Sequence, residues 1–356
     1  MVVGSVSLRS FRSYAALDLE LAEGIVLVVG PNGAGKTNLL ESLHVGTQGF
    51  SPRTRSDAQL IRFGESAARV RLRGTRGRAR AQTELELTLR AGGGKQARLN
   101  GAPLPSAESL RGEVATLVFT PDRLAVVKGG PAVRRAYLDR ALGRLLPARA
   151  ALPGEYGSAL AQRNAALRRV ALGHSSRDAL EPWTERVAEL GSALVAARRS
   201  ALDLLAAAFT DRAGELGLEE ARLEYLGDPV SGDALRARLD RDLDRGTTGL
   251  GPHLDDVSVL AGTRDLRRFG SQGEQRLAVL SLLLAEAGVI AAERGAPPLL
   301  LLDDVLSELD PSRRRALAGR IAAGGQTLVT ATTAAALPVE PALLLEVTPG
   351  AVRRAA

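Results

Sequence analysis

Hydrophobic and polar residues change their spacing several times along this chain of 356 residues, and each change marks an element. Residues 2–8 and 16–21 read as two short strands. Ile25–Val29 is an unbroken apolar run, the pattern of a strand buried on both faces. Leu39, Leu40 and Leu43 then recur at helical spacing. Residues 69–73 alternate Arg-Val-Arg-Leu-Arg and residues 84–89 alternate Glu-Leu-Glu-Leu-Thr-Leu, which predicts an antiparallel hairpin. A second hairpin is expected over residues 97–102, with Asn100-Gly101 as its turn. Residues 114–119 form a further strand that stops at Pro121; Asp122 follows, pushed off the strand end by the intervening Thr-Pro. From residue 124 to about 246 the period becomes helical, with one long helix expected over residues 178–214 and Pro182 accepted in its first turn. The only strand-like stretch there is Leu223-Glu224-Tyr225. Strands at 257–260 and 264–269 are expected to return the chain to its first domain, followed by an apolar helix over 277–290. The expected organisation is a mixed α/β fold with an antiparallel part, divided at 1–122, an inserted helical domain at 123–250, and 251–356.

Chemistry concentrates where the first buried strand meets the first helix. Gly30-Pro31-Asn32-Gly33-Ala34-Gly35-Lys36-Thr37 reads G-x-x-x-x-G-K-T, the phosphate-binding loop of nucleoside triphosphatases, in the strand–turn–helix context that loop requires. Its backbone N–H groups and the helix N-terminus suit one anion. Lys36 is expected to reach the β- and γ-phosphates of ATP, and Thr37 to hold Mg2+ through its hydroxyl. Leu299–Leu302 is an apolar strand ending in Asp303-Asp304. Such a strand carries its carboxylates to the sheet edge where the phosphate loop also lies. Asp303 is expected to hold Mg2+, directly or through water, and Asp304 to polarise the attacking water. Asp310 is a natural N-cap, with Pro311 at the first helical position. Ser271 and Glu274 form an S-x-x-E capping box. One reading of it is a well-capped core helix. The other is a second anion site, in which the Ser271 hydroxyl and the Gly273 N–H take a γ-phosphate. A chain that already owns a phosphate loop has little need of a second, so this end is expected to meet ATP held by another copy.

Charge extends the picture to partners. The net charge is +7, and all the 47 basic residues except Lys36, Lys95 and Lys128 are arginine, which favours an anionic partner such as nucleic acid. Aromatic residues make up 3%, too few for a base-stacking platform along single strands, so contacts to duplex phosphates fit better. Arg69, Arg71 and Arg73 are expected to face Glu84 and Glu86 across the hairpin. Arg76, Arg78 and Arg80 have no acid close by in sequence and are the candidates for DNA contact. For Arg12, in the loop Ser10-Phe11-Arg12-Ser13-Tyr14, the alternatives are a nucleotide contact and a solvated turn. His253, Asp255 and Asp256 match no metal template, and a re-entry loop is favoured over a metal site. Cysteine is absent, no apolar run approaches the ~20 residues of a membrane helix, and residues 1–10 do not read as a signal peptide. A cytoplasmic protein is expected.

The order of phosphate loop, Ser271-Gln272-Gly273-Glu274-Gln275 before its helix, the Asp303-Asp304 strand end and Ser307-Glu308-Leu309-Asp310 resembles the ABC-type ATPases. The helical insert is similar to the structural-maintenance-of-chromosomes branch, though short. Phe11-Arg12, Phe119-Thr120-Pro121-Asp122, Gly130-Pro131 with Arg134-Arg135 and Leu138-Asp139, and Gly251-Pro252-His253 with Asp255-Asp256 narrow the match. Over nearly its whole length the chain resembles the RecF family. That resemblance implies a P-loop ATPase head of the ABC/SMC type that binds ATP and dimerises head to head. It implies a place on duplex DNA near a single-strand gap, where with RecR and RecO it helps load RecA in gap repair and the SOS response. A weak DNA-dependent ATPase is expected, and three departures point to slow hydrolysis with ATP acting mainly as a dimer clamp: no Gln at Phe119-Thr120-Pro121-Asp122, no His after residues 327–329, and Asp304 where a longer Glu is usual. A binding module using ATP only as a conformational ligand is the alternative; the subunit of a membrane transporter is disfavoured by the insert.

Overall fold

The computed structural model describes residues 1–77 and 79–355, so Arg78 lies outside the described residues. In chain order the strands are β1 (Val2–Phe11), β2 (Tyr14–Glu20), β3 (Ile25–Val29), β4 (Ala67–Arg76), β5 (Ala81–Arg90), β6 (Lys95–Leu99), β7 (Ala102–Pro103) and β8 (Thr116–Phe119). They continue with β9 (Ala221–Leu226), β10 (Asp256–Ala261), β11 (Arg264–Asp265), β12 (Leu299–Leu302), β13 (Thr327–Ala331), β14 (Leu343–Thr348) and β15 (Ala351–Arg354). Contacts divide the chain into two compact units, one of Met1–Arg123, Glu215–Gly217 and Ile290–Ala356, the other of Leu124–Gly214 and Leu218–Val289.

The first unit holds two sheets. One is antiparallel in the order β2-β1-β4-β5-β6-β7. Its strands alternate as the sequence does: Val6, Leu8, Val70, Leu72, Leu85 and Leu87 point into the core, while Arg69 and Arg73 face solvent. The other runs β15-β14-β3-β13-β12-β8, parallel from β14 to β8 with β15 turned back as an antiparallel edge. Its central strands β3, β12 and β13 are buried throughout, and β3 and β12 accordingly read as unbroken apolar runs. The helix Lys36–Gln48 follows β3 and buries Leu39, Leu40 and Leu43. Buried Gln326 ties the sheets together: its amide accepts from Val3 N and donates to the carbonyls of Val3 and Ala22, at 2.7, 2.7 and 2.8 Å.

The second unit is built on the helices Pro131–Leu145, Leu152–Ala171 and Glu181–Glu215, with a three-stranded sheet ordered β11-β10-β9. Two expectations change here. Residues 264–269 are not one strand. Only Arg264–Asp265 pairs; Asp265 then caps a helical turn, Leu266–Phe269, by accepting from Arg267 N at 2.9 Å, and Leu266 is fully buried. The strand over 257–260 pairs with β9 of this unit, so the unit runs on to Val289, past the expected return at 251.

Within this unit, hydrogen bonds and ion pairs link the motifs at residues 130–139 and 251–256. Arg134 forks onto Asp256 with two bonds of 2.6 Å, and Arg135 donates to the Asp255 carbonyl at 2.6 Å. Arg198 forks onto Asp139 and donates to the Pro252 carbonyl at 2.7 Å. His253 meets the Tyr156 hydroxyl at 2.7 Å and the Thr248 carbonyl at 3.0 Å, and burial pushes its pKa down. The Asp255 carboxylate accepts from the Tyr225 hydroxyl, so both ring nitrogens and both neighbouring carboxylates are committed to protein partners, and among the described residues no cluster of metal-ligating side chains occurs.

The helix Gln272–Arg294 is long and apolar enough to cross a membrane by length and composition. Two-thirds of its most apolar window is buried inside the protein, and buried Glu286 pairs with Arg144, the pattern of a core helix.

A candidate nucleotide site

The phosphate loop emerges at the C-terminal end of β3, the edge where β12 and β13 also end. Two glycines are required there by space as well as by backbone. A Cβ on Gly30, whose φ is +156°, would fall 2.4 Å from the carbonyl oxygen of Val347. A Cβ on Gly35, φ +117°, would fall 3.0 Å from the Tyr14 hydroxyl and 3.1 Å from Ser13 Oγ. Gly35 is also the N-cap of the helix Lys36–Gln48, with no capping side chain and no acid in the first turn. The partial positive charge of that helix end is therefore left for an anion. Lys36 Nζ folds back over the loop, donating to the carbonyls of Gly30 at 2.6 Å and Pro31 at 3.0 Å.

Asp303 lies beside this loop. Thr37 Oγ1 donates to its carboxylate at 2.9 and 3.1 Å, and Thr330 Oγ1 donates to it at 2.7 Å. Thr330 in turn accepts from Asp304 N at 2.8 Å, so a single hydroxyl on β13 positions both acids. Burial is the largest influence on Asp303 and raises its pKa; the bonds from Thr330 and Thr37 and the charge of Arg53 act against it. A buried carboxylate beside a threonine hydroxyl is a hard-oxygen donor set. It fits Mg2+, which binds through one or two carboxylates and substrate phosphates and keeps several waters. Asp304 is exposed and has φ +49°, a left-handed conformation uncommon outside glycine.

The loop over residues 10–14 packs on the same helix end. Arg12 forks onto buried Glu41 at 2.8 and 2.9 Å, so its guanidinium is held beside the loop by a carboxylate of the phosphate-loop helix itself. Glu41 also accepts from Ser51 Oγ and Arg53 Nη1 at 2.6 and 3.2 Å, and Arg53 reaches Asn38 at 3.2 Å. Glu41, Arg53 and Thr330 were not singled out in the sequence. The Arg-containing segment 51–55 resembles other basic stretches of this chain, and only folding brings it to Asp303.

Ser271-Gln272-Gly273-Glu274-Gln275, the signature stretch at the start of the helix Gln272–Arg294, lies in the second unit. Both arms of the capping box form: Glu274 N donates to Ser271 Oγ at 3.2 Å, and Ser271 N donates to the Glu274 carboxylate at 2.8 Å. Arg264 adds a bond of 2.8 Å and, with the Ser271 amide, holds the Glu274 pKa down to about 2. Ser271, Gln272 and Gly273 are exposed at the helix end, while Gln275 turns inward to the Leu266 carbonyl at 2.8 Å.

The hairpin arginines find carboxylates. Arg71 pairs with Glu86 at 2.6 Å and Arg73 with Glu84 at 2.6 Å. Arg76 pairs with Glu113, and Arg80 with Glu23 at 3.1 Å; both acids are remote in sequence.

Residues 2–345 match the model of the RecF/RecN/SMC N terminal domain. The chain is 39% identical to the DNA replication and repair protein RecF of Frankia alni, with 94% of each chain covered. It is 38% identical to the same-named protein of Myxococcus xanthus, over 92% of this chain and 90% of that one. Among solved structures it is similar to the recombination mediator protein RecF-ATP of the RecFOR pathway, at 28% identity and a TM-score of 0.88, covering 99% of this chain and 97% of that one. The Smc head domain of Pyrococcus furiosus shares the fold, with a TM-score of 0.60 at 16% identity over 99% of this chain and 95% of that one.

Proposed function

The chain belongs to the RecF family, with a P-loop head of the ABC/SMC type and a helical insert, and we propose that it is an ATP-dependent DNA-binding protein of recombinational gap repair and the SOS response. The observation that carries this reading is the meeting of Lys36, Thr37, Asp303 and Thr330 at one sheet edge, beside an uncapped helix N-terminus. The backbone from Gly30 to Gly35, with Lys36, holds the phosphates of ATP. Thr37 and Asp303 hold Mg2+, which neutralises charge developing on the γ-phosphate. Asp304 orients the attacking water on the ATP of its own chain. Ser271 and Gly273 present a second helix end to the γ-phosphate bound by another copy, so ATP closes a head-to-head homodimer over duplex DNA near a gap. With RecR and RecO that clamp promotes RecA loading in the cytoplasm, and slow hydrolysis resets it.

The alternative, ATP as a conformational ligand only, is favoured by one feature: Thr332 and Thr333 follow β13, and no histidine does. Solution mass with and without ATP and duplex DNA tests the clamp. Lys36→Arg and Ser271→Arg each block the ATP-dependent dimer alone, while a mixture retains one composite site and associates partially. If mixing restores nothing although both variants are folded, the clamp reading fails; if association survives in mixtures while hydrolysis is undetectable, the conformational reading takes its place.

A further inference from the structure

Phe63 is fully exposed, at 102% of its reference area, in a chain with six phenylalanines. A single exposed apolar side chain is ordinary; the placement of this one is not. Ile61 bridges to Phe11, Arg62 N donates to the Ser10 carbonyl at 2.8 Å, and Arg12 N donates to the Leu60 carbonyl at 2.9 Å. The Arg62 guanidinium then reaches the Ser13 carbonyl at 2.6 Å. Ser13 itself accepts from Asn38 at 3.0 Å and lies against Gly35. The loop that presents Phe63 is therefore fastened, through Ser13, to the first turn of the phosphate-loop helix.

The helix end has two sides. Thr37 turns toward Asp303, which marks the metal and γ-phosphate end of a bound nucleotide. Gly35 and Asn38 turn toward Ser13. With the γ-phosphate assigned to the Asp303 side, the base at the other end of the phosphate chain is assigned to the Ser13 side. We propose that Phe63 is the stacking platform for the base of the nucleotide held by the phosphate loop. This inference rests on the ATP-binding reading given above. The ring carries no hydrogen-bonding group, and the adjacent Arg62 is engaged with Ser13. Stacking of this kind tolerates every base because each has a π-face. Phe63 thus contributes affinity for nucleotides without discriminating adenine from guanine.

Calorimetry with three probes tests it: Mg-ATP, Mg-GTP and Mg-tripolyphosphate, which has no base. Phe63→Ala is expected to weaken ATP and GTP by a similar factor of about ten, with tripolyphosphate unchanged. Phe63→Trp in a Trp183→Phe background is expected to restore ATP affinity and to give indole fluorescence quenched by ATP but not by tripolyphosphate. The proposal is overturned if Phe63→Ala binds ATP as the wild type does, including the case where it loses only duplex DNA. It is overturned equally if ATP and tripolyphosphate weaken together. If wild-type protein binds neither ATP nor tripolyphosphate, the nucleotide reading itself has failed.

Discussion

Thr330 does the most at the scale of one residue. Its hydroxyl donates to buried Asp303 and accepts from the backbone N–H of Asp304, a residue in the left-handed region. Burial raises the Asp303 pKa, so ionising it costs the ligand-free fold stability as pH rises past the ordinary carboxylate range. A divalent cation offsets that cost. Thr330→Val keeps the shape and removes the hydroxyl. A hydrogen bond to a charged group is worth about 1.5–3 kcal/mol, so Mg-ATP affinity at neutral pH is expected to fall by roughly tenfold or more. ATP binding in excess EDTA is expected to change little. Calorimetry with and without Mg2+ checks this; an equal loss in both conditions means that Thr330 supports the phosphate loop rather than the metal position.

Among the elements, the helix Gln272–Arg294 begins on a capping box. Its reciprocal cap is visible in the spacing of Ser271 and Glu274, and both bonds form. Ser271→Ala is expected to cost about 0.5–2 kcal/mol, a small fall in melting temperature for a folded protein. The Glu274 pKa is depressed to about 2. Its stabilisation is therefore complete above the ordinary glutamate value and is lost as pH falls from there toward 2. Thermal unfolding between pH 7 and pH 3 is expected to show a shallower acid dependence for Glu274→Gln than for wild type. Identical slopes would mean that the cap contributes nothing to the cooperative unfolding step.

At the scale of the whole molecule, charge is the property that reaches furthest. A chain of net charge +7 that neutralises ~4–6 duplex phosphates should show log K falling with log salt at a slope of about −4 to −5. Arg76 and Arg80 must leave Glu113 and Glu23 to touch DNA. Removing those two acids, as Glu23→Gln with Glu113→Gln, is expected to tighten duplex binding and steepen the slope. Unchanged binding with the wild-type slope would place the DNA surface elsewhere on the chain. Affinity measured from 50 to 200 mM salt, with single strands for comparison, makes the distinction.

What the sequence by itself determined is whatever is written in contiguous residues. Ile25–Val29, Leu299–Leu302, the glycine loop and the Ser271 cap could be read because a buried strand, a phosphate loop and a helix N-terminus each need particular residues at fixed short spacing. Family membership followed from several such motifs in order. Tertiary structure decided whatever depends on partners distant in sequence. Arg264–Asp265 ends as a strand because Asp265 caps the next turn and Leu266 finds a core. β10 stays in the second unit because β9, more than thirty residues earlier, offers it an edge. His253, Asp255 and Asp256 lie close enough in sequence to suggest a metal, yet Tyr156, Tyr225 and Arg134 claim them. Arg76 and Arg80 looked uncompensated because Glu113 and Glu23 lie far along the chain. A hydrogen bond or ion pair depends on distance in space, and sequence separation predicts that distance only within an element or a turn.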